Sequence, residues 1–215
     1  MRKLIVVAMV LAAALVPARV AAGPIGGDGV QVGDILILSD WYNDHQGGPF
    51  LVDNQNPEGL DNWLTFCAEA EGSVILDRAV LRVAAISSYV DPSGRPLVPE
   101  VAFLYTQYRG MGGSTDFAVN NAYQNAIGYF MGGGGGYNYL VELALAAVAP
   151  GGVWYGHGLG NVAVLNLVYN ETIGIHRQGE SAQDMLTFVP DGGATLMLLG
   201  GALLGLGALR RRFNS

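Results

Sequence analysis

The sequence predicts an α+β domain, rich in strands with a central group of helices, flanked by an N-terminal signal helix and a C-terminal transmembrane helix. Three observations predict it. Short apolar runs with strand-like alternation stand at both ends of the middle portion. Apolar residues at helical spacing fill its centre, and uncharged aliphatic stretches occupy both termini of the 215-residue chain.

At the N-terminus, Arg2 and Lys3 precede thirteen uncharged, mostly aliphatic residues, Leu4 to Val16, followed by Pro17, Arg19 and Val20-Ala21-Ala22. A basic start, an apolar stretch of that length and a small-residue cleavage site make residues 1–22 a signal peptide. At the C-terminus, the sixteen residues from Ala194 to Leu209 carry no charge and run into Arg210-Arg211-Arg212. As a helix they reach about 24 Å, against a hydrocarbon core of about 30 Å. Snorkelling arginines make up the difference and belong on the cytoplasmic side. Both ends specify one topology, with the intervening domain outside and a short basic tail inside.

Residues 23–188 then form one exported domain, long enough for a core of its own. Gly33 to Leu38, Trp63 to Cys67, Val74 to Leu76 and Ala79 to Tyr89 read as strands, and Asp40 to Asn62 as a long polar loop or hairpin. Pro99 to Arg109, Asp116 to Met131 and Tyr139 to Val148 read as helices, with Ser114 and Asp116 as N-caps. The breaker Gly110-Met111-Gly112-Gly113 separates the first two helices. Gly132 to Gly136 reads as a flexible linker before the third. Asn161 to Tyr169 and Asp184 to Val189 return to strand character.

Within Gly23 to Val189 five arginines face seventeen acidic residues, a net charge of −12, and Lys3, in the signal peptide, is the only lysine of the chain. Nucleic acid is excluded as a partner, because phosphate binding needs clustered Lys and Arg. One cysteine allows neither an internal disulfide nor a Cys-based zinc site, and no cofactor is implied.

Val189-Pro190-Asp191-Gly192-Gly193-Ala194-Thr195, a short glycine-rich apolar helix and then the arginine cluster resemble a PEP-CTERM sorting tail over residues 189–215. The pattern is similar to the VPDSG-type variant, with Gly192 where the type sequence has Ser. The resemblance implies cleavage near Pro190-Asp191 by an exosortase, an intramembrane cysteine transpeptidase. It also implies an inner-membrane-anchored precursor that matures to the cell surface or exterior, in company with exopolysaccharide and biofilm. Pro190 lacks a donor and Gly192-Gly193 resist helix extension, so the cleavage segment stays accessible.

Cys67 lies in Thr65-Phe66-Cys67-Ala68-Glu69. A lone cysteine on a strand commonly serves as a small buried hydrophobe. In an exported chain it has no disulfide partner, which raises a second reading. Phe66-Cys67, with Ala122-Tyr123-Gln124-Asn125-Ala126-Ile127 downstream, resembles the paired motifs of bacterial thioester domains. Leu104 to Tyr108 and Gln183 to Leu186 are similar to parts of the same pattern. The resemblance implies a bond between the Cys67 thiol and the Gln124 carboxamide, able to capture surface amines or hydroxyls. Two positions depart from the family: Tyr123 stands where it has Thr, and Gly128 where it has an aromatic ring that shields the bond. Gln107 is an alternative acyl donor. Phe117, Asn121, Gln124, Gly128 and Met131 share a helix face, which points Gln124 toward the sheet carrying Cys67. A chain bearing an amine-reactive bond also benefits from having no lysines within reach.

His45, His157 and His176 are too dispersed for a metal-ligand spacing, and no metal site is expected. A Cys67/His157 hydrolase has no local signature. Gly156 to Gly160 lacks nucleotide-loop spacing and reads as a hairpin turn. Asp53 to Gly59 breaks the order of a calcium loop. The sequence therefore points to a non-enzymatic surface or matrix module, with a covalent adhesin through Cys67 and Gln124 as the alternative and a secreted Cys-dependent hydrolase as the outsider.

Overall fold

The computed structural model describes residues 27–41, 48–55, 62–69, 76, 78–132 and 134–189. The expected signal peptide, the span at 194–209 and the arginine cluster lie outside these. No helix among the described residues is long and apolar enough to cross a membrane.

Alternation builds the sheet. In β1 (Ile35–Asp40) Leu36 and Leu38 are buried while their neighbours are part-exposed, and in β2 (Phe50–Asn54) Phe50, Val52 and Asn54 are buried. The two pair antiparallel with Leu38 opposite Val52. β3 (Trp63–Thr65), β4 (Val80–Ser87), β7 (Val162–Tyr169) and β8 (Met185–Phe188) complete a six-stranded sheet in the order β3-β2-β1-β4-β7-β8. Every pairing is antiparallel, and a bulge between Val83 and Ala85 bends β4. The two edges meet. Cys67, just beyond β3, lies opposite Met185, and Ala68 N–H and Leu186 N–H donate across to the carbonyls of Asp184 and Phe66 at 2.8 and 3.1 Å. The sheet thus rolls into a barrel, which removes its open edges.

Closure makes two cores. Leu36, Leu38, Phe50, Val52, Trp63, Leu81, Val83, Leu165, Leu167 and Met185 fill the barrel. On the outer wall, Leu64, Phe66, Val162, Val164, Leu186 and Phe188 pack against three helices. These are α1 (Pro99–Gly110), α2 (Phe117–Phe130) and α3 (Tyr139–Val148). α1 starts on Pro99 with Glu100 in its first turn and Arg109 in its last, as the helix dipole favours. Asp116 caps α2 by accepting Ala118 N–H at 2.8 Å, and Asn138 caps α3 through Leu140 N–H at 2.9 Å. A small hairpin, β5 (Tyr89–Val90) with β6 (Arg95–Pro96), leads into α1.

The α+β expectation holds in the described residues as a β-rich sheet with three helices, each within a residue or two of its expected bounds. Several details differ. Of the two readings of 40–62, loop or hairpin, the hairpin holds, with β2 folding back antiparallel on β1 and its three alternating buried residues outweighing the surrounding Asn and Asp. Of the expected strand at 74–76, residues 74 and 75 lie outside the described residues and Leu76 sits in a turn. The glycine run after α2 is no loose linker at Gly135. A Cβ there would strike the Asn125 carbonyl and the backbone of Gly128 and Tyr129, so the loop rests on the helix itself. Gly156 to Gly160 is a run of turns carrying α3 into β7 rather than a hairpin.

An ion pair locks barrel to helices. Arg109 Nη2 lies 2.7 Å from Asp28 Oδ1, and Arg109 also donates to Tyr105 Oη at 2.8 Å and the Leu64 carbonyl at 3.2 Å. Asp28 additionally accepts Thr187 Oγ1–H at 3.0 Å and Phe188 N–H at 2.8 Å. Asp28→Ala strands the guanidinium, and we expect a loss of roughly 3–5 kcal/mol by urea unfolding. Arg82→Ala on the exposed side of β4 should change stability by less than about 0.5 kcal/mol.

Candidate functional site

Cys67 is positioned by the seam of the barrel. Successive residues beyond β3 alternate, so Phe66 enters the helix-side core and Cys67 the barrel interior, where it is buried. Pairing opposite Met185 turns the Cys67 N–H and C=O away from β8, toward the line of β2. β2 pairs with β3 only as far as Phe50 opposite Thr65, so it does not reach them.

Gln124 supplies the missing partner. Cys67 N–H donates to Gln124 Oε1 at 3.2 Å, and Gln124 Nε2 donates to the Cys67 carbonyl at 3.4 Å. The carboxamide takes the place of one more strand residue, 57 positions away in sequence. Gly48 closes over it with φ of +102°. A Cβ there would stand 3.1 Å from Gln124 Oε1 and 3.2 Å from the Phe50 ring, so only glycine fits comfortably.

The turn of α2 that carries Gln124 is held by aromatics. Tyr123 lies 5.0 Å from the Tyr108 ring and 6.3 Å from Phe66, whose ring meets Tyr108 edge-on at 4.7 Å. Tyr108 Oη–H donates to buried Asn120 and accepts Ser114 N–H, fixing the start of α2. The expected face of α2 is only partly inward. Gly128 and Met131 are buried, but Phe117 is exposed, and the fully covered stripe is Asn120, Tyr123, Ala126 and Ile127. Gln124 reaches Cys67 from the flank of that stripe. The alternative donor Gln107 turns elsewhere, its Oε1 accepting Tyr123 Oη–H at 2.9 Å.

Two residues absent from the sequence-based site meet at the seam just beyond Cys67. Gln183 Nε2 donates to the Glu69 carbonyl at 3.2 Å. Glu69 Oε1 accepts Asp184 N–H at 3.0 Å. Burial pushes the Cys67 thiol far above its ordinary range, and the Glu69 charge adds to the effect. Gln183 opens the run Gln183–Leu186 noted in the sequence, but nothing local assigned it to the seam. Glu69 is marked only by its charge two residues after Cys67.

The other singled-out residues stay apart. His157 lies against the Trp154 ring at 5.3 Å, on the helix-side core, while Cys67 faces the barrel; the structure does not pair them. His176 stacks on Tyr169 at 4.4 Å with Glu180 at 3.6 Å, and His45 lies outside the described residues. No group of three His, Cys, Asp or Glu suited to a metal occurs among the described residues. Val189, first of the expected sorting motif, ends the described chain with its N–H donating to the Asn161 carbonyl at 2.8 Å. Pro190, Asp191, Gly192, Gly193, Thr195 and Arg210 to Arg212 lie beyond it.

Comparison with known families decides the tail. Residues 189–213 match the family model described as the VPDSG-CTERM motif. The chain carries a sorting signal. The motif marks an exported protein, anchored in the membrane before an exosortase processes it. No curated protein and no solved structure matches the chain. These comparisons lend no support to the resemblance of the ectodomain to thioester domains; only the proximity of Cys67 and Gln124 comes from the structure.

Asp184, just before the strand that faces Cys67, gives the region a pH signature. Burial pushes its carboxyl up to about 7, against hydrogen bonds from Asp91 N–H, Asn166 Nδ2 and Leu167 N–H that favour the ionised form. From the ordinary value of 3.8 to about 7, the native state holds a proton that the unfolded chain has released. Its contribution to stability therefore falls as pH rises through that window. Thermal melts from pH 4 to 8 should show this decline, and Asp184→Asn should flatten it.

Proposed function

We propose that the exported domain is an adhesive component of the cell surface or its matrix, and that it attaches through an internal thioester between Cys67 and Gln124. The observation that carries this is the pair of hydrogen bonds between the Gln124 carboxamide and the Cys67 main chain, at 3.2 and 3.4 Å. The thiol adds to Gln124 Cδ, an S–C bond forms, the C–N bond breaks, and Nε2 leaves as ammonia with the thiol proton. Charge grows on Oε1 as sulfur adds, and the Cys67 N–H already donates to that oxygen, in the manner of an oxyanion hole. Phe66, Tyr108 and Tyr123 wall the neighbourhood with buried rings that exclude water. A target amine or hydroxyl then displaces sulfur, forming an amide or ester and returning the free thiol. The mature segment carries no lysine to compete for the bond. Exopolysaccharide or biofilm is the setting that the sorting tail suggests.

A second reading has its own observation. The same two hydrogen bonds satisfy main-chain groups that β2 leaves uncovered, which a purely structural matrix protein also needs. Intact mass of the purified ectodomain separates the two. The covalent reading expects a mass short by one ammonia, restored with one added amine on methylamine treatment, and a Cys67 that resists alkylation until then. Cys67→Ala and Gln124→Glu should each show their full calculated mass. Full mass and a thiol that titrates on unfolding, in freshly prepared protein, leave the structural reading.

A further inference from the structure

Val189 is the last of the described residues, and its N–H donates to the Asn161 carbonyl at 2.8 Å, so the chain leaves the domain beside the start of β7. The uncharged span expected from Ala194 to Leu209 begins five residues further on. Five residues reach at most about 18 Å, and the headgroup layer occupies about 5–7 Å of that. A domain of this size has a radius of gyration of about 15 Å. So short a tether does not let the domain roll freely. In the anchored precursor, the surface around Asn161 faces the bilayer at close range.

That surface is built by the segment joining α3 to β7. It folds back over the end of α3: Gly152 N–H donates to the Ala149 carbonyl and Trp154 N–H to the Ala147 carbonyl, both at 2.8 Å. A Cβ on Gly152 would strike the Ala146 and Ala147 carbonyls, so the two pieces are in direct contact. Trp154 pins the segment. Its ring is buried against Phe103 at 5.9 Å, its Nε1–H donates to the Gly158 carbonyl at 2.9 Å, and a Cβ on Gly160, next to Asn161, would press on it at 3.2 Å. With Trp154 turned inward, its two neighbours turn out: Val153 is 79% and Tyr155 59% exposed, and Leu145 in the last turn of α3 is exposed as well.

From Leu143 to Asn170 the sequence has no Asp, Glu, Lys or Arg, within a segment of net charge −12. Lipid phosphates repel that net charge but meet none of it on these turns. An aliphatic side chain beside a tyrosine, whose ring is apolar and whose hydroxyl is polar, suits the headgroup layer.

We propose that the turns of residues 149–160 are a membrane-contact face, seating Val153 and Tyr155 in the lipid headgroup layer while the tail anchors the precursor. Two side chains hold a domain weakly, so the contact lasts while the tail is in the membrane and lapses once the tail is removed. The proposal stands apart from the Cys67–Gln124 reading and rests on the tail as the anchor.

The test uses the full-length chain, exported in a host without an exosortase, purified from its membranes and reconstituted in phosphatidylcholine vesicles with or without brominated acyl chains. Val153→Trp reports on the proposed face. Ile175→Trp is the control: Ile175, 89% exposed, lies between Ile173 and His176 in the connection beyond the far end of β7. Near-UV circular dichroism should match wild type for both. We expect bromine to cost Val153→Trp the emission of its added tryptophan, read as the difference from wild type, while Ile175→Trp keeps its own. Adding Tyr155→Asp to Val153→Trp should restore part of the emission. Equal quenching at both positions, or none at position 153, in a chain that floats with the vesicles overturns the contact and leaves the anchor standing. Failure of the wild-type chain to float with the vesicles overturns both. If Val153→Trp alters the spectrum, Tyr155→Trp takes its place, with quenching supporting the face and its absence overturning it.

Discussion

Arg109 reaches from the last turn of α1 to Asp28, Tyr105 and the Leu64 carbonyl, and in doing so joins three separate stretches of chain. A guanidinium taken out of water is costly unless charge and geometry are both answered. Here a carboxylate, a phenol oxygen and a main-chain carbonyl answer it, with the rings of Tyr105 and Phe188 at 5.6 and 5.1 Å. Asp28 is matched in turn by the Phe188 N–H and Thr187 hydroxyl, so the start of the described domain is fastened to its last strand. Tyr105 Oη–H and Thr65 Oγ1–H converge on the Leu186 carbonyl across the same seam. With that cluster in place β3 and β8 meet, and their meeting puts Cys67 opposite Met185.

The site is a by-product of how the barrel closes. Six strands of unequal length do not cover every main-chain group, and β2 stops short of Cys67. The gap is filled by side chains: the Gln124 amide on one edge and the Glu69 carboxylate on the other. Such substitutions bring the Gln124 carboxamide to the Cys67 main chain and satisfy the N–H and C=O that β2 leaves uncovered. The same burial that protects the thiol from solvent also removes its ability to ionise unaided, so its neighbours acquire chemical importance.

The sorting motif adjoins this architecture directly. Val189 is both the residue paired with Asn161 at the edge of the folded domain and the first of the 189–213 match. Little chain separates the barrel seam from the expected cleavage point.

Local signals in the sequence determined the sorting tail, the three helices with the Asp116 cap of α2, and the longer strands, because each rests on spacing within one stretch of residues. Cys67 and Gln124 were both legible as candidates, Cys67 as the single cysteine and Gln124 through its motif resemblance. β2 was legible only as one arm of a possible hairpin, because its five residues lie within a polar run and only their alternating burial marks them as a strand. Glu69 and Gln183 escaped for a different reason: they meet each other, and Glu69 meets Asp184, only across the barrel seam, which no spacing along the chain encodes. The closure of the barrel, the 57-residue pairing of Gln124 with Cys67, and the burial that raises both Cys67 and Asp184 were decided by tertiary structure alone. Hydrogen-bond satisfaction and dielectric depend on which residues surround a group, and those neighbours exist only once the two edge strands have met.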